Sequence, residues 1–372
     1  MRQPRGAATK CPTLRRTPGC RSRVLHARPR PNLTTRADKP IEDLPATGAW
    51  REGDPVGERR FHVVSPGRRF ALEGGGHLDH VVVAYETWGR LNAEGSNAVL
   101  VCHALTGDSH AAGRSSEAHP GPGWWDPLIG VGRALDTRDC FVVCANVLGG
   151  CQGSTGPASV NPATGKPYGS AFPVVSIRDM VRAQASLADA LGVGAWAQVV
   201  GGSMGGMQAL EWSVMYPRRV RSAVFASTTT EASAQQIAWS HIGRMAVQSD
   251  PRYAGGDYYD AADGDGPHRG LAVARMAAQV TYRSDEVFAQ RFGRTVLNQL
   301  AFSLDPTFDI EGYLDYHGLK LVRRFDANSY VYLNRAMDLH DLGRGRGGTA
   351  RALERVRCPS VVAAVRSDGL YQ

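Results

Sequence analysis

A serine enclosed by glycines, Ser203 in the turn 201–205 (Gly-Gly-Ser-Met-Gly), is the feature of this sequence best suited to chemistry. An apolar run that fits a strand, residues 196–200, precedes the turn, and one that fits a helix, 207–215, follows it. A nucleophilic serine needs this order of strand, turn and helix, because its own backbone is strained and neighbouring glycines remove clashes around it. Glycine is frequent in this chain, so the spacing alone is a weak signal. Together with the flanking elements it predicts that Ser203 is a nucleophile for acyl transfer.

Such a serine also needs two further parts: hydrogen-bond donors that stabilise the oxyanion, and a base with a supporting acid that takes up the serine proton. One donor is expected to be the amide of the next residue, Met204, and the other an amide in the loop after an earlier strand. The predicted strand 97–102 runs into the segment 103–107 (His-Ala-Leu-Thr-Gly), and we assign the second donor to Leu105. The same segment also fits a tight turn without a catalytic part. Asp368 follows the last predicted strand and is the expected acid of a catalytic triad.

The base of the triad is not found. A histidine should follow Asp368, but only four residues do, and all eleven histidines precede it. His340 is followed by Asp341, but this pair comes before the strand that leads to the acid, so a structural role is expected for it. We therefore predict that the catalytic His is not present in this chain.

A mostly parallel sheet is predicted to position these residues. Between residues 61 and 226, short β-branched runs alternate with helical stretches, which indicates βαβ units and an α/β-hydrolase fold. The helix predicted over 177–191 has one apolar face. The predicted strands cover residues 80–86, 97–102, 141–146, 196–200, 220–226 and, as a last buried strand, 360–365.

The pattern becomes helical from about residue 228 to 346, which is typical of an inserted lid; helices are predicted there over 233–249 and 270–281. A helix over 350–356 then returns to the sheet. The predicted organisation is a disordered basic tail (1–45), a first part of the core (46–227), the helical lid (228–346) and a second, truncated part of the core (347–372). The last strand, the catalytic histidine and the final helix of the fold are expected to be missing.

The charge of the chain is concentrated in its tail. The formal charge is +8, but residues 1–40 hold eleven Lys or Arg against one acid, and the rest has 32 basic and 34 acidic side chains. The nearly balanced charge of the rest of the chain therefore predicts that it binds neither nucleic acid nor an anionic membrane. The tail fits a transit peptide or, as we slightly favour, a translation start placed too far upstream.

Apolar runs and cysteines point to an ordinary cytoplasmic enzyme. No run of eighteen apolar residues and no secretory signal occurs, so neither a membrane span nor export is predicted. The seven cysteines form no CxxC pair, and we expect buried thiols and no metal site.

Several short segments, spread in order across the predicted core and the predicted lid, match one known family. They are residues 85–89 (Tyr-Glu-Thr-Trp-Gly), 103–107 (His-Ala-Leu-Thr-Gly), 146–151 (Asn-Val-Leu-Gly-Gly-Cys), 201–206 (Gly-Gly-Ser-Met-Gly-Gly), 233–237 (Ser-Ala-Gln-Gln-Ile), 281–284 (Thr-Tyr-Arg-Ser), 324–330 (Arg-Phe-Asp-Ala-Asn-Ser-Tyr) and 367–371 (Ser-Asp-Gly-Leu-Tyr). With these segments the chain resembles the homoserine O-acetyltransferases over residues 84–371. The resemblance is specific because the segments recur in order across both core and lid.

The resemblance implies a ping-pong reaction on the route to methionine. Ser203 would take an acetyl group from acetyl-CoA, a co-substrate and not a bound cofactor, and pass it to the hydroxyl of L-homoserine. Arg275 corresponds to the family's substrate-binding arginine; without the resemblance it would be interpreted as a solvated helix residue. A homodimer is also implied. Members of the family continue past the segment 367–371 to a His-Asp pair that this chain lacks, and loss of the base should remove most of the activity.

Three alternatives stay open from the sequence. Within the family, the donor could be succinyl-CoA or the acceptor L-serine, because details of the pocket decide both. An esterase would use the same nucleophile with water as the acceptor. A non-catalytic relic would keep the fold but lack the base.

Overall fold

The structure is a computed structural model that describes residues 40–371 apart from Ser65, Asn298, Gln299, Ala301 and Ser303. The predicted disordered tail, 1–45, therefore lies mostly outside the described residues. Its last part differs from the prediction, because Ile41–Asp43 forms a short 3-10 helix and Leu44 is buried. The Leu44 carbonyl accepts a hydrogen bond from the Gly264 amide at 2.7 Å, which ties this segment to the body.

The described part of the chain contains one large sheet and one two-stranded ribbon. Their strands are β1 (Arg60–Val64), β2 (Phe70–Ala71), β3 (His77–Leu78), β4 (Val81–Trp88), β5 (Ala98–Cys102), β6 (Phe141–Ala145), β7 (Gln198–Gly202), β8 (Ala223–Ala226) and β9 (Ser360–Ala363). The large sheet has the order β1-β4-β6-β5-β7-β8-β9. Strands β6, β5, β7, β8 and β9 are parallel, whereas β1 and β4 run antiparallel to their neighbours. The predicted mostly parallel sheet is confirmed.

The central strands explain why the sequence pattern was informative. Every residue of β5 and β6 is buried, as expected for parallel strands that helices cover on both faces, and such strands are near-continuous apolar runs. The six predicted strands all exist, with ends shifted by up to three residues. Strand β1 and the β2–β3 ribbon were not predicted; β1 is largely exposed and carries little of the apolar signal.

The last described strand, β9, corrects one prediction. Residues 360–365 were expected to form a buried strand, but β9 lies at the edge of the described sheet beside β8, and all its residues are exposed. Val361 is 59% exposed and Val362 is 74% exposed. The apolar composition of this run predicted the strand correctly but not its burial.

Helices flank the sheet and form the lid. They are α1 (Ile177–Ala190), α2 (Met204–Met215), α3 (Ala234–Gln248), α4 (His268–Thr281), α5 (Asp285–Arg291), α6 (Asp309–Val322), α7 (Ala327–Asp338) and α8 (Thr349–Leu353). Helix α1 begins with a capping box, in which the Ser176 hydroxyl accepts from the Asp179 amide and the Asp179 carboxylate accepts from the Ser176 amide. Helix α2 begins at Met204, three residues before the predicted start at 207.

Helices α3 to α7 follow β8 and make up the predicted lid. Helix α4 packs between α3 and α6, and α7 packs on α3, so the lid has a small helical core of its own. The lid is joined to the core through Asp326, whose buried carboxylate accepts hydrogen bonds from Thr47, Tyr258 and Tyr259. None of the described helices is both long and apolar enough to cross a membrane.

Candidate active site

Ser203 lies at a sharp turn between β7 and α2. Its backbone has φ 57° and ψ −126°, a region that residues with a side chain rarely adopt. The Ser203 amide donates to the carbonyls of Ala226 and Ser227, both at 3.0 Å, and its own carbonyl accepts from the Thr228 hydroxyl at 2.8 Å. These bonds to the end of β8 and to the residues that follow it hold the strained turn in place. The geometry is that of a nucleophile elbow.

The glycines of the turn are required by close backbone contacts. A Cβ on Gly205 would lie 2.1 Å from the carbonyl oxygen of Cys102, and a Cβ on Gly201 would lie 2.2 Å from the carbonyl oxygen of Gly205. Helix α2 can therefore start directly against the end of β5. This contact brings the elbow next to the loop that follows β5.

The two predicted oxyanion donors belong to Met204, which follows Ser203 in the chain, and to Leu105, which lines the same cavities as Ser203. Met204 is the first residue of α2, and the amide of a first helical residue has no acceptor within the helix. Leu105 lies in a turn closed by a 2.8 Å hydrogen bond from the Gly107 amide to the Ala104 carbonyl. Leu105 and Ser203 line the same two cavities. This arrangement is compatible with both assignments, which remain predictions.

His103 fixes the start of that turn. Its ring is buried; Nδ1 donates to the Ala104 carbonyl at 2.8 Å, and Nε2 accepts from the Val147 amide at 3.0 Å. Burial lowers the pKa of His103, which keeps the neutral ring that these two bonds require. His103 is a structural residue of the turn, as the alternative interpretation of the segment 103–107 predicted.

The partner of the Ser203 hydroxyl is a tyrosine. Ser203 Oγ lies 2.8 Å from the hydroxyl of Tyr371. Burial raises the pKa of Tyr371, so this phenol stays protonated at neutral pH and cannot serve there as a base. The sequence predicted no role for Tyr371, although it lies in the segment 367–371 that also holds Asp368.

Asp368 lies in the same cleft as Ser203. Its Oδ1 accepts from the amides of Leu370 and Tyr371, both at 2.9 Å, and this turn positions the tyrosine. Within the described residues, no histidine lines either cavity beside Ser203. His340 is buried elsewhere, with a pKa that burial lowers to about 4. The predicted acid is therefore near the nucleophile, but no described base joins them.

Two cavities meet at Ser203. The inner one lies under lid helices α3 and α7 and is mostly apolar. The outer one is a wider cleft that is open to solvent. A nucleophile reached from two sides can receive a group from one ligand and pass it to another.

Arg275 lines the outer cleft together with Ser203. Its guanidinium stacks on the ring of Tyr282 at 5.4 Å, and Nη1 lies 3.5 Å from the Tyr282 hydroxyl. Within the described part of the chain, no carboxylate pairs with it. Arg275 is a partly exposed residue of helix α4, so the sequence-based interpretation of a solvated helix residue is compatible with its position, and the cleft contains a cation able to bind a carboxylate ligand.

A second buried cluster lies behind the oxyanion turn. The Glu86 carboxylate accepts from Ser109 Oγ and His110 Nδ1, both at 2.9 Å, and lies 3.3 Å from His119 Nε2. Burial alone would raise the pKa of Glu86, but hydrogen bonds from the two histidines lower it to about 2. Glu86, His110 and His119 offer metal-type ligands within 4.8 Å of one another.

The surroundings of this cluster disfavour a cation. The imidazole rings of His110 and His119 stack at 3.8 Å and 7°, so their ring nitrogens cannot converge well on one ion. The Arg59 guanidinium lies 3.4 Å from His119 Nδ1 and already supplies a positive charge. We interpret the cluster as a hydrogen-bond network that supports the loop after β5.

Comparison with known proteins first defines the class. Residues 97–335 match the family model of the alpha/beta hydrolase fold. In solved structures, the chain is similar to a homoserine O-acetyltransferase from Bacillus anthracis (29% identity, TM-score 0.75, 84% of each chain covered). It is also similar to an acetylester hydrolase from Corynebacterium glutamicum (27% identity, TM-score 0.69, covering 84% of this chain and 82% of that one). The protein is an α/β hydrolase in fold.

Curated relatives then define the family. The homoserine O-acetyltransferase of Thermobifida fusca is 55% identical over 328 residues, which cover 88% of this chain and 86% of the relative. That of Symbiobacterium thermophilum is 52% identical over 318 residues, which cover 84% and 82%. The chain belongs to the homoserine O-acetyltransferase family, and the resemblance drawn from its segments is confirmed.

Proposed function

We propose that this chain transfers an acetyl group from acetyl-CoA to the side-chain hydroxyl of L-homoserine through an acetyl-Ser203 intermediate. The observation that carries the proposal is the strained Ser203 at the junction of two cavities, one of which contains the guanidinium of Arg275, which has no carboxylate partner among the described residues. Family membership supports the identity of the two substrates. The reaction would serve methionine biosynthesis in the cytoplasm.

In the first half-reaction, Ser203 Oγ attacks the thioester carbonyl of acetyl-CoA. The hydroxyl proton passes to a base, and the negative charge that develops on the carbonyl oxygen is stabilised by the amides of Leu105 and Met204. Collapse of the tetrahedral intermediate breaks the carbon–sulfur bond, and the thiolate leaves and takes up a proton. The acetyl group remains on Ser203.

In the second half-reaction, the L-homoserine hydroxyl attacks the acetyl carbonyl. The guanidinium of Arg275 binds the carboxylate of the amino acid in a forked arrangement, which holds the hydroxyl toward Ser203. The same two amides stabilise the second oxyanion. The homoserine hydroxyl gives up its proton as its oxygen bonds to the acetyl carbon, the bond to Ser203 Oγ breaks, Oγ takes up a proton, and O-acetyl-L-homoserine leaves.

None of the described residues beside Ser203 can act as the base that accepts its proton. The Tyr371 hydroxyl contacts Ser203 but is held protonated by burial, so it can donate a hydrogen bond but cannot accept the proton of Ser203 at neutral pH. Family resemblance implies a histidine in this role. Without one, acylation depends on the oxyanion donors, on substrate binding and on a base from the solution.

Hydrolysis is the second candidate, favoured by the likeness to the Corynebacterium glutamicum acetylester hydrolase. The two functions differ in the fate of the acetyl group. We would incubate the protein with acetyl-CoA, follow free thiol, and separate acetate from O-acetyl-L-homoserine by chromatography. Transfer predicts thiol release that rises with L-homoserine and is lost in Ser203→Ala; release indifferent to L-homoserine, with acetate as the product, would establish hydrolysis.

The proposed donor, acceptor and assembly can each be tested separately. We propose acetyl-CoA and L-homoserine over succinyl-CoA and L-serine because the chain belongs to the homoserine O-acetyltransferase family. Competition between each pair in one reaction, with products separated by mass, tests both choices. We also propose a homodimer, which sedimentation of the full chain would test.

A further inference from the structure

Arg324 connects the lid to the loop that follows β5. It lies between α6 and α7, yet its side chain reaches the core: Nη2 donates to the Thr106 carbonyl, and Nη1 lies 3.4 Å from Asp108 Oδ2. Its backbone is fixed as well, because Gln152 Nε2 donates to the Arg324 carbonyl at 2.7 Å. The guanidinium is thus held at one place against the turn that contains Leu105.

Two peptide groups lie between this guanidinium and the predicted oxyanion donor. The Thr106 carbonyl that accepts from Arg324 shares a peptide plane with the Gly107 amide. That amide donates to the Ala104 carbonyl at 2.8 Å, and the Ala104 carbonyl shares its own plane with the Leu105 amide. Fixing the first plane therefore fixes the direction in which Leu105 N–H points.

The two peptide groups also transmit the electrostatic effect of the Arg324 guanidinium, in addition to fixing the geometry. A cation at a carbonyl oxygen polarises the peptide and strengthens the hydrogen bond made by the N–H of that peptide. The effect passes from Arg324 through Gly107 N–H to Leu105 N–H, which becomes a better donor to an oxyanion. Asp108 holds the turn from the other side, since its Oδ1 accepts from the His110 amide at 2.9 Å.

We propose that Arg324 is a positioning residue for the oxyanion hole, which orients and polarises the Leu105 amide through the Thr106 and Ala104 peptide groups. This inference rests on the proposed function. Arg324, a residue of the lid, would thus affect the reaction through the Leu105 amide and not by contact with substrate. Arg324 thereby differs in role from Arg275, which belongs to the binding of L-homoserine.

The test uses the full chain with Arg324→Met, Arg324→Lys and, as a matched control, Arg335→Met, an exposed arginine of α7. Formation of acetyl-Ser203 from p-nitrophenyl acetate is followed by intact mass, with Ser203→Ala as the baseline. The affinity for propylboronic acid, which forms a tetrahedral adduct with a serine, reports on the oxyanion hole. The affinity for L-homoserine reports on the outer cleft.

We expect Arg324→Met to slow acetylation by about tenfold to a hundredfold, less than removal of a direct oxyanion donor costs. The boronate affinity should fall by a similar factor, while the affinity for L-homoserine stays unchanged. Arg324→Lys should recover part of the rate, because it keeps the charge but loses the fork. The control should match the parent.

Three results would overturn the inference. One is an unchanged acetylation rate in Arg324→Met and Arg324→Lys. Another is slower acetylation in Arg324→Met with unchanged affinity for the boronate. A third is a loss of affinity for L-homoserine as large as the loss of affinity for the boronate, which would indicate general damage to the lid. If the parent chain acquires no more acetyl group than Ser203→Ala, the proposed function itself fails, and the inference fails with it.

Discussion

Replacing Arg275 by glutamine should separate binding of the acceptor from chemistry at Ser203. Arg275 has no carboxylate partner within the described residues and faces the cleft that Ser203 shares. A charge-assisted bond to a carboxylate contributes about 1.5–3 kcal/mol, and the half-exposed setting of Arg275 places its forked pair at about 2–3 kcal/mol in total. The affinity for L-homoserine should therefore fall about 30- to 150-fold in Arg275→Gln.

The assay is titration calorimetry of L-homoserine into the parent, Arg275→Gln, Arg275→Lys and Arg269→Gln. Arg269 is an exposed arginine of the same helix and is the matched control. A second ligand, the amino diol that lacks the carboxylate of L-homoserine, should bind the parent weakly and be indifferent to Arg275→Gln. The lysine variant should bind L-homoserine with intermediate affinity.

Two outcomes would refute this reasoning. If Arg275→Gln binds L-homoserine as tightly as the parent, then Arg275 does not bind the acceptor. If the variant loses equal affinity for the diol and for L-homoserine, then the loss comes from disturbed packing of the cleft and not from the carboxylate pair.

Three further predictions concern the elbow, the buried carboxylate and the base. Gly205→Ala should destabilise the fold by about 3 kcal/mol or more in chemical denaturation, because its Cβ would lie 2.1 Å from the Cys102 carbonyl oxygen. Gly74→Ala, the control, has open space around its Cβ and should leave the stability unchanged. Because the pKa of Glu86 is lowered, its ionised form stabilises the fold above pH 4.5, and this stabilisation is lost as the pH falls toward about 2. The difference in unfolding free energy between the parent and Glu86→Gln should therefore shrink over that range. A constant difference would contradict this prediction. Imidazole in the buffer should accelerate acetylation of Ser203 by p-nitrophenyl acetate beyond its effect on Ser203→Ala, because a diffusible base can take the proton that no described histidine receives.

The elbow could be predicted from the sequence because every part of its signal is local. A strand, a glycine-rich turn and a helix follow one another around Ser203, and the close approach that demands Gly201 is to Gly205 of the same turn, whereas the one that demands Gly205 is to the distant Cys102. The parallel sheet was predictable for a related reason. Strands buried on both faces, such as β5 and β6, must be apolar throughout.

Contacts between distant segments could not be predicted in this way. Arg324 and Thr106 are 218 residues apart, and neither lies in a pattern that points to the other. Arg275 shows the same limit, because its helix position is compatible with solvent exposure and only the packing of the lid places it in the cleft. For β9 the apolar run predicted a strand, but its exposure depends on which neighbours it has.

The most direct test of the account is the fate of the acetyl group on Ser203. The protein would be loaded with acetyl-CoA, separated from free donor, and followed by intact mass and peptide mapping with and without L-homoserine. Transfer through Ser203 should give an acetyl adduct on Ser203 that L-homoserine discharges, faster than water does, to give O-acetyl-L-homoserine. Absence of the adduct, or discharge at the same rate without L-homoserine, would rule out this transfer.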